Sequence, residues 1–590
     1  MKVYSYNRRR IKCVFVIILI AALVVVSRLT YIMIFKGKYY SDRAASLHER
    51  ERNIKAPRGK IYDRNGNVIA DNKAVCSVSV IHSQIENEDA VADILINNID
   101  KDAEEIREKV KKNSSRELIA SNVDIETGRR IKAAGLAGIK IDEDYKRNYP
   151  YGDLASKVIG FTGADNQGIL GTEVTYDGVL TGINGSINAV TDAKGLELAE
   201  YAETRTDPVP GDDLTTTLDI NIQKYCAQTA YRILEEKQAE RVCVLVMNPQ
   251  NGEIYAMVDA PEYDLNNPFK LIEGYDGSTN EEERVSAVDD VLPAASQMDR
   301  LNNMWRNYLI SDTYEPGSTA KIITLTAALE NGAVDSSSTF FCPGYRIVED
   351  RRIRCAKTTG HGSETLEQAL MNSCNPAFMD IGERTGVDGL YKYYHRLGLF
   401  SRCGIDLPGE ANSIMHKKEN VGPVELATMS FGQSFQVTPI QFASAVAAVI
   451  NGGRSITPHV GKMITDSITG NISSIEYTEQ RQVIGTETSS QMRGMLESVV
   501  SEGGGSKCAI EGYRIGGKTA TSEKLPRGNG RYISSFIGFA PADDPVVMTM
   551  VLIDEPEGTY YGGVIAAPVV RDIFLNILPY LGIDKATNAY

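Results

Sequence analysis

The run CVFVIILIAALVVVSRLTYIMIF, from Cys13 to Phe35, carries a single charge, Arg28, in 23 residues. A helix of that length spans a hydrocarbon core of about 30 Å, so this segment sets the topology of everything that follows it. Lys2, Arg8, Arg9, Arg10 and Lys12 precede it and no acidic residue does. By the positive-inside rule that bias keeps residues 1–12 in the cytoplasm and sends the rest of the chain outside. A cleaved signal peptide is the competing reading. The run is long for one, and YIMIFKGKYY offers no small-x-small cleavage site, so an uncleaved single-pass anchor in the cell membrane is expected at 13–35.

With 42% hydrophobic and 24% charged residues among 590, the chain has material for three or four domains at roughly 150 residues each. Its formal net charge of −14 is the opposite of a nucleic-acid footprint, and no nucleic-acid partner is expected. Nine cysteines, odd in number and scattered, read as mostly buried thiols rather than a disulfide framework, despite the exterior location.

Residues 46–215 read as a mixed, elongated pedestal-like module without evident chemistry. Asn65-Gly66 in KIYDRNGNVIA has the form of a two-residue hairpin turn, and residues 84–146 are charged and mostly helical in pattern. A second domain, 216–585, opens with the β-rich run Leu214–Leu218 feeding an amphipathic helix. RVCVLVMNPQNGEIYAMVDA gives two strands about Asn251-Gly252, and ISSFIGFAPADDPVVMTMVLIDEP gives more at the far end. Strands at both ends with helices between them predict an α+β domain, one sheet closed by both termini beside a helical subdomain. Residues 270–303 hold eight acidic and three basic residues and read as a surface insertion or disordered loop.

The chemistry-bearing feature is YEPGSTAKIITLTAALENG, residues 314–332. Pro316-Gly317 fits a tight turn, and the apolar run after it fits a helix ending at Gly332. Ser318 then sits at the helix N-terminus, where free N–H groups favour developing negative charge. Lys321, three residues on, shares its face. A serine hydroxyl is a weak nucleophile until a base takes its proton, and a lysine serves as that base when burial lowers its pKa. Taken alone, Ser-x-x-Lys is more often a capping serine and a surface lysine. Two further motifs change the odds: SCN at 373–375 after a helical stretch, and KTAT at 518–521 in a strand-like run. Ser-x-x-Lys, Ser-x-Asn and Lys-Thr-Gly in that order mark serine acyl-transfer enzymes of the penicillin-recognising type. A histidine triad is set aside, since none of the six histidines lies in a Gly-x-Ser-x-Gly context.

With APRGKIYDRNG, GFTG, TLDINIQ, NPQNGEIYAM, MWRNYLISDTYEPGSTAK, SCNPAF, ATMSFGQSFQVTPIQ and SFIGFAPADDP, the chain resembles the class B, monofunctional penicillin-binding proteins from its anchor to about residue 585. These are the membrane-anchored D,D-transpeptidases of bacterial wall synthesis, and the likeness is greatest to the SpoVD and FtsI types. The resemblance implies a β-lactamase-like transpeptidase domain on an N-terminal pedestal. It assigns Ser318 as the acylated nucleophile, Lys321 as its base, and Ser373 and Asn375 to proton shuttling and substrate holding. Lys518 and Thr519 would position the terminal carboxylate, with Thr521 beside it, and the amides of Ser318 and Thr521 would form the oxyanion hole. Partners so implied are nascent peptidoglycan stem peptides, β-lactams, the membrane and a SEDS-type glycosyltransferase (FtsW, SpoVE or RodA-like), in division or spore-cortex synthesis. Rival readings are a D,D-carboxypeptidase, a β-lactamase or β-lactam sensor, and a non-catalytic scaffold of the wall-synthesis complex. One departure stands out: Ala520 replaces the glycine of the third motif. By strand alternation its methyl shares a side with Lys518, so altered ligand fit rather than inactivity is expected.

The transpeptidase chemistry implied needs no cofactor. Even so, CPGYRIVEDRRIRCAKTTGHG brings Cys342 and Cys355 to the flanks of a hairpin about Glu349-Asp350, with His361 six residues on. Two thiols and an imidazole suit tetrahedral zinc, with Cys374 or Asp350 as a fourth ligand. A hairpin disulfide and two free thiols are the alternatives.

Overall fold

The computed structural model describes residues 4–40, 49–114, 116–190, 204–272 and 294–585. Helix α1, Tyr4–Phe35, contains the expected span and leaves its apolar side chains from Val14 to Phe35 exposed. Among the described residues one other stretch, Gly562–Tyr580, is long and apolar enough to cross a membrane. Its Val570, Ile573, Phe574 and Ile577 are buried in a soluble core.

The chain folds into two compact units that interleave along the sequence. The first comprises Met1–Pro57, Lys73–Lys146 and Gly182–Pro210. Its core gathers Val78, Val80, Val91, Leu95, Ile106, Val110, Ile119 and Ile131. The expectation that 84–146 is mostly helical is corrected: helices Glu88–Asn98, Ala103–Lys111 and Ile125–Ala133 alternate with strands Glu117–Asp124 and Ile139–Asn148. The helix signals were sound. Asp102 caps Ala103–Lys111 by accepting from the N–H groups of Glu104 and Glu105, and basic residues close its last turn. The strands lack an apolar alternation: each has only two buried positions, and in Ile139–Asn148 those are the charged Asp144 and Arg147.

The second unit comprises Arg58–Asn72, Arg147–Thr181 and Gly211–Tyr590. The turn at Asn65-Gly66 is wider than expected. Ile61 pairs with Ala70 and Tyr62 with Val68, and Asp63 Oδ1 holds the loop by accepting from the N–H groups of Asn65 (2.9 Å) and Asn67 (2.8 Å).

At the centre of this unit is a five-stranded antiparallel sheet. Strands β1 (Arg241–Met247) and β2 (Ile254–Ala260) come from one end of the sequence. Four short strands follow in the helical region: β3 (Thr339–Cys342), β4 (Tyr345–Val348), β5 (Arg351–Arg354) and β6 (Gly362–Thr365). Strands β7 (Gly516–Glu523), β8 (Tyr532–Ala540) and β9 (Val547–Asp554) complete the sheet in the order β2–β1–β9–β8–β7. Every residue of β2 and β9 is buried, which is why these runs read as continuously apolar rather than alternating. The early helix α2 (Ile220–Lys237) packs on this sheet. The intervening chain supplies α3 (Lys321–Glu330), α4 (Leu366–Met371), α5 (Asn375–Arg396, interrupted at Gly386) and α6 (Thr486–Ser501), and α7 (Ala567–Tyr580) returns to pack beside α2. Of the acidic stretch 270–303, residues 273–293 lie outside the described residues. Helix Ala294–Trp305 follows them, with Trp305 Nε1 donating to Pro268 O at 2.8 Å.

The sheet leaves β7 at its edge, paired on one side only with β8, in the register Lys518↔Ile537 and Ala520↔Ser535. An edge strand offers unpaired backbone groups to an added extended peptide. The site lies against this strand.

Candidate active site

Ser318 lies in a single 3₁₀ turn, Gly317–Ala320, that runs directly into α3. The turn is tighter than the helix start expected from sequence, but it keeps Ser318 and Lys321 on one face. Gly317 is required there. Its φ is +55°, and a side-chain carbon would come within 2.3 Å of Ser522 Oγ on β7.

Lys321 is fully buried and its ammonium is surrounded by acceptors. Nζ donates to Ser318 Oγ (3.1 Å), Ser373 Oγ (3.0 Å), Ser373 O (2.7 Å) and Asn375 Oδ1 (2.8 Å). Ser373 occupies the turn between α4 and α5 with φ +52°, a strained conformation for a residue with a side chain. Strain of this kind persists only where its surroundings fix it. Here the fixing groups are Lys321 and the N–H of Ser373 itself, which donates to Leu370 O at 3.1 Å. From the other side Lys518 Nζ donates to Ser373 Oγ at 3.0 Å and to Thr519 O at 3.2 Å. The three motifs therefore meet at one oxygen, in the order Ser318 Oγ, Lys321 Nζ, Ser373 Oγ, Lys518 Nζ.

Burial pushes the Lys321 ammonium down to about 8, against the opposing pull of Cys355, Cys374 and Glu364. Burial and then the neighbouring Lys321 push Lys518 well below its usual range. Two stacked buried amines disfavour double protonation, which is what a lysine base requires. Lys518, Ala520 and Ser522 share the buried side of β7, while Thr519 and Thr521 alternate to the half-buried side, where Thr521 Oγ1 accepts from Gly562 N at 3.0 Å. The Ala520 methyl faces the nucleophile turn, 3.6 Å from where a carbon on Gly317 would stand, and is itself buried. It sits beside Gly317 without disturbing the register of β7 on β8.

The second predicted cluster also assembles. Strand β3 pairs with β6 and β4 with β5, forming the expected hairpin at Glu349-Asp350. The side-chain donors of Cys342, Cys355, His361 and Cys374 all lie within 4.8 Å of one another, with Cys355 Sγ 3.7 Å from His361 Nδ1. Asp350, the alternative fourth ligand, is exposed at the hairpin tip and outside this group. Cys342 and Cys355 are unpaired in this structure, as are the other cysteines. Gly360 draws the loop in: at φ +83°, a side-chain carbon there would lie 2.4 Å from Cys342 O. The Cys355 thiol is held low, first by the hydrogen bond from Cys374 and then by backbone N–H groups and His361, while Cys374 is pushed up by the same bond and by burial. Zinc–sulfur bonds of about 2.3 Å place tetrahedral ligands about 3.8 Å apart, so a small contraction of this donor set fits the ion. Sequence reasoning missed Glu364, whose buried Oε2 lacks a hydrogen-bond partner and lies 3.8 Å from His361 Nδ1. Its place in β6, two residues before α4, gave no signal.

Comparisons with known proteins agree with this geometry. The profile of the penicillin-binding protein transpeptidase domain matches residues 242–575, and that of the penicillin-binding protein dimerisation domain matches 53–216. The chain is 38% identical to stage V sporulation protein D of Bacillus subtilis, over 98% of this chain and 87% of that one. It is 28% identical to the probable peptidoglycan D,D-transpeptidase PenA of Neisseria meningitidis, over 97% and 93%. Among solved structures, a peptidoglycan synthetase from Bifidobacterium adolescentis superposes with a TM-score of 0.72 at 22% identity, covering 92% of this chain and 98% of that one. Penicillin-binding protein 2X from Streptococcus thermophilus gives 0.71 at 21% identity, covering 92% and 83%. With its three motifs converging on one serine oxygen and both family profiles spanning its length, the chain belongs to the class B penicillin-binding proteins, the D,D-transpeptidases of the SpoVD and FtsI type.

Proposed function

We propose that this protein crosslinks peptidoglycan stem peptides through a Ser318 acyl-enzyme and is acylated by β-lactams at the same hydroxyl. The observation that carries the reading is the unbroken hydrogen-bonded row from Ser318 through Lys321 and Ser373 to Lys518. Neutral Lys321 takes the Ser318 proton as Oγ attacks the carbonyl of the penultimate D-alanine. The N–H groups of Ser318 and Thr521 receive the developing oxyanion, the kind of interaction that contributes most to acyl transfer. The C–N bond breaks, and the proton passes by way of Ser373 to the departing D-alanine amine. An amine of a second stem peptide then attacks the ester, Lys321 takes its proton, and Ser318 is restored. Lys518 and Thr519 hold the substrate's terminal carboxylate, with Thr521 beside it, and Asn375 holds its peptide backbone.

Incubating the purified full-length protein in detergent with a D-Ala-D-Ala donor and an acceptor peptide amine should give crosslinked dimers. Hydrolysed donor alone would make the protein a carboxypeptidase, and no Ser318-dependent product would make it a scaffold.

The exposed apolar surface of α1 and the basic residues before it support a single-pass anchor with an internal N-terminus and an extracytoplasmic catalytic domain. Protease added outside intact cells should then remove the large domain and spare an N-terminal tag. A mature chain beginning after residue 36 would contradict this. In that setting residues 46–215 are the pedestal-like domain and residues 216–585 the transpeptidase domain, and a SEDS-type glycosyltransferase supplies the glycan strands. The Cys342–Cys355–His361–Cys374 group is read as a structural zinc site, outside the chemistry itself.

A further inference from the structure

Beyond the end of β7 lies a pocket of about 390 Å³ that the reaction as described leaves unused. Its lining includes Glu315, three residues before the nucleophile, and Arg527, from the loop joining β7 to β8, with Ile414, His416, Phe435 and Leu525 around them. Glu315 is nearly buried: Oε1 accepts from Ser434 N at 2.9 Å, and Oε2 pairs with Arg527. Arg527 also donates to Glu523 O, the last residue of β7, so the loop is latched to the strand and to the nucleophile turn together. The guanidinium remains about one-third exposed, in reach of a ligand.

The direction of the substrate decides what would occupy this pocket, and here the inference rests on the assignments proposed above. With the terminal carboxylate at Lys518 and Thr519 and the scissile carbonyl at Thr521, the acyl side of the donor runs along β7 toward Glu523. At about 3.3 Å per residue, the residue before the two D-alanines reaches the end of the strand, where its side chain meets the pocket. We infer that the Glu315–Arg527 pair is a specificity subsite for that residue, and that it takes a diamino-acid side chain ending in an amino-acid head. The head's carboxylate would meet the Arg527 fork and its ammonium would meet Glu315. Ile414, Phe435 and Leu525 would cover the aliphatic linker. Arginine is the side chain suited to a bidentate carboxylate, and a nearby acid completes a site for a zwitterion.

The test uses the full-length protein in detergent and three synthetic donors ending in D-Ala-D-Ala. The preceding residue is diaminopimelate with its free distal head, the same residue with that carboxylate amidated, or lysine. D-alanine release gives kcat/KM for each. The free head should be favoured about tenfold over both analogues, the size of one charge-assisted hydrogen bond, with the difference carried mainly in KM. Arg527→Ala should bring the three donors to within about twofold, and Arg527→Lys should restore part of the preference, because it returns the charge without the fork. A wild-type protein that uses all three equally, or an Arg527→Ala variant that keeps the preference, would overturn the subsite. Release of D-alanine from none of them would instead overturn the transpeptidase reading on which it rests.

Discussion

Replacing Lys321 with alanine should slow penicillin acylation of Ser318 by about 10³- to 10⁴-fold, the upper part of the range for loss of a positioned general base. Two effects add. Ser318 loses the amine 3.1 Å from its hydroxyl, and Ser373 O and Asn375 Oδ1 lose the donor that holds the second motif in place. Ser318→Ala should abolish labelling altogether, whereas Lys321→Ala should label slowly and at the same serine, as peptide mapping would show. The pH dependence follows from which form works. The amine must be neutral to accept a proton, and burial brings its pKa down to about 8. The wild-type acylation rate should therefore rise with pH through that value and fall about tenfold per unit below it. Lys321→Ala should lose that rise. Labelling of Lys321→Ala at the wild-type rate, or a wild-type profile flat between pH 6 and 9, would remove Lys321 from the base role.

What the sequence disclosed follows from how far each feature depends on the chain beyond it. Ser318 and Lys321 were legible because three residues of helix fix their separation whatever surrounds them. That Lys321 and Lys518 meet at the Ser373 hydroxyl is a tertiary fact. Spacing is silent about it, and only the ordered motif set suggested it. The fourth member of the cluster is open in the sequence because spacing alone favours neither Asp350 nor Cys374. The fold turns the hairpin tip into solvent and brings Cys374, in the α4–α5 turn, to the other three side chains. The interleaving of the two units was not legible either, since the segments Arg58–Asn72 and Arg147–Thr181 join the catalytic unit through pairings with no local signature. One such pairing is the buried contact of Arg58 Nε with Glu173 at 2.6 Å, bridging 115 residues. The Glu315–Arg527 pocket was hidden for the same reason, its two charged residues being 212 positions apart.

Removing metal should loosen the site without touching a catalytic group. Cys374 stands between Ser373 and Asn375, and Asn375 Nδ2 donates to Arg354 O at 3.2 Å, one residue before Cys355. If the four side chains from β3, the β5–β6 loop and the α4–α5 turn hold an ion, it ties the second motif to the hairpin and adds its binding free energy to the folded state. If that contribution is about 3 kcal/mol, the melting temperature should fall by about 4 °C on chelation, the shift expected for a domain as large as 216–585. Elemental analysis should find about one zinc per chain. Penicillin acylation should drop by about 10- to 100-fold, the range for losing support behind a metal ligand, and return when zinc is restored. Cys374→Ser should reproduce the chelated state and make the protein indifferent to chelator. That separates the metal from a general effect of the reagent. A protein purified without zinc, or holding a Cys342–Cys355 disulfide, and labelling at full rate would leave the four side chains as thiols packed around a histidine. The Ser373 strain would then have to be held by Lys321, Lys518 and the bond from Ser373 N–H to Leu370 O.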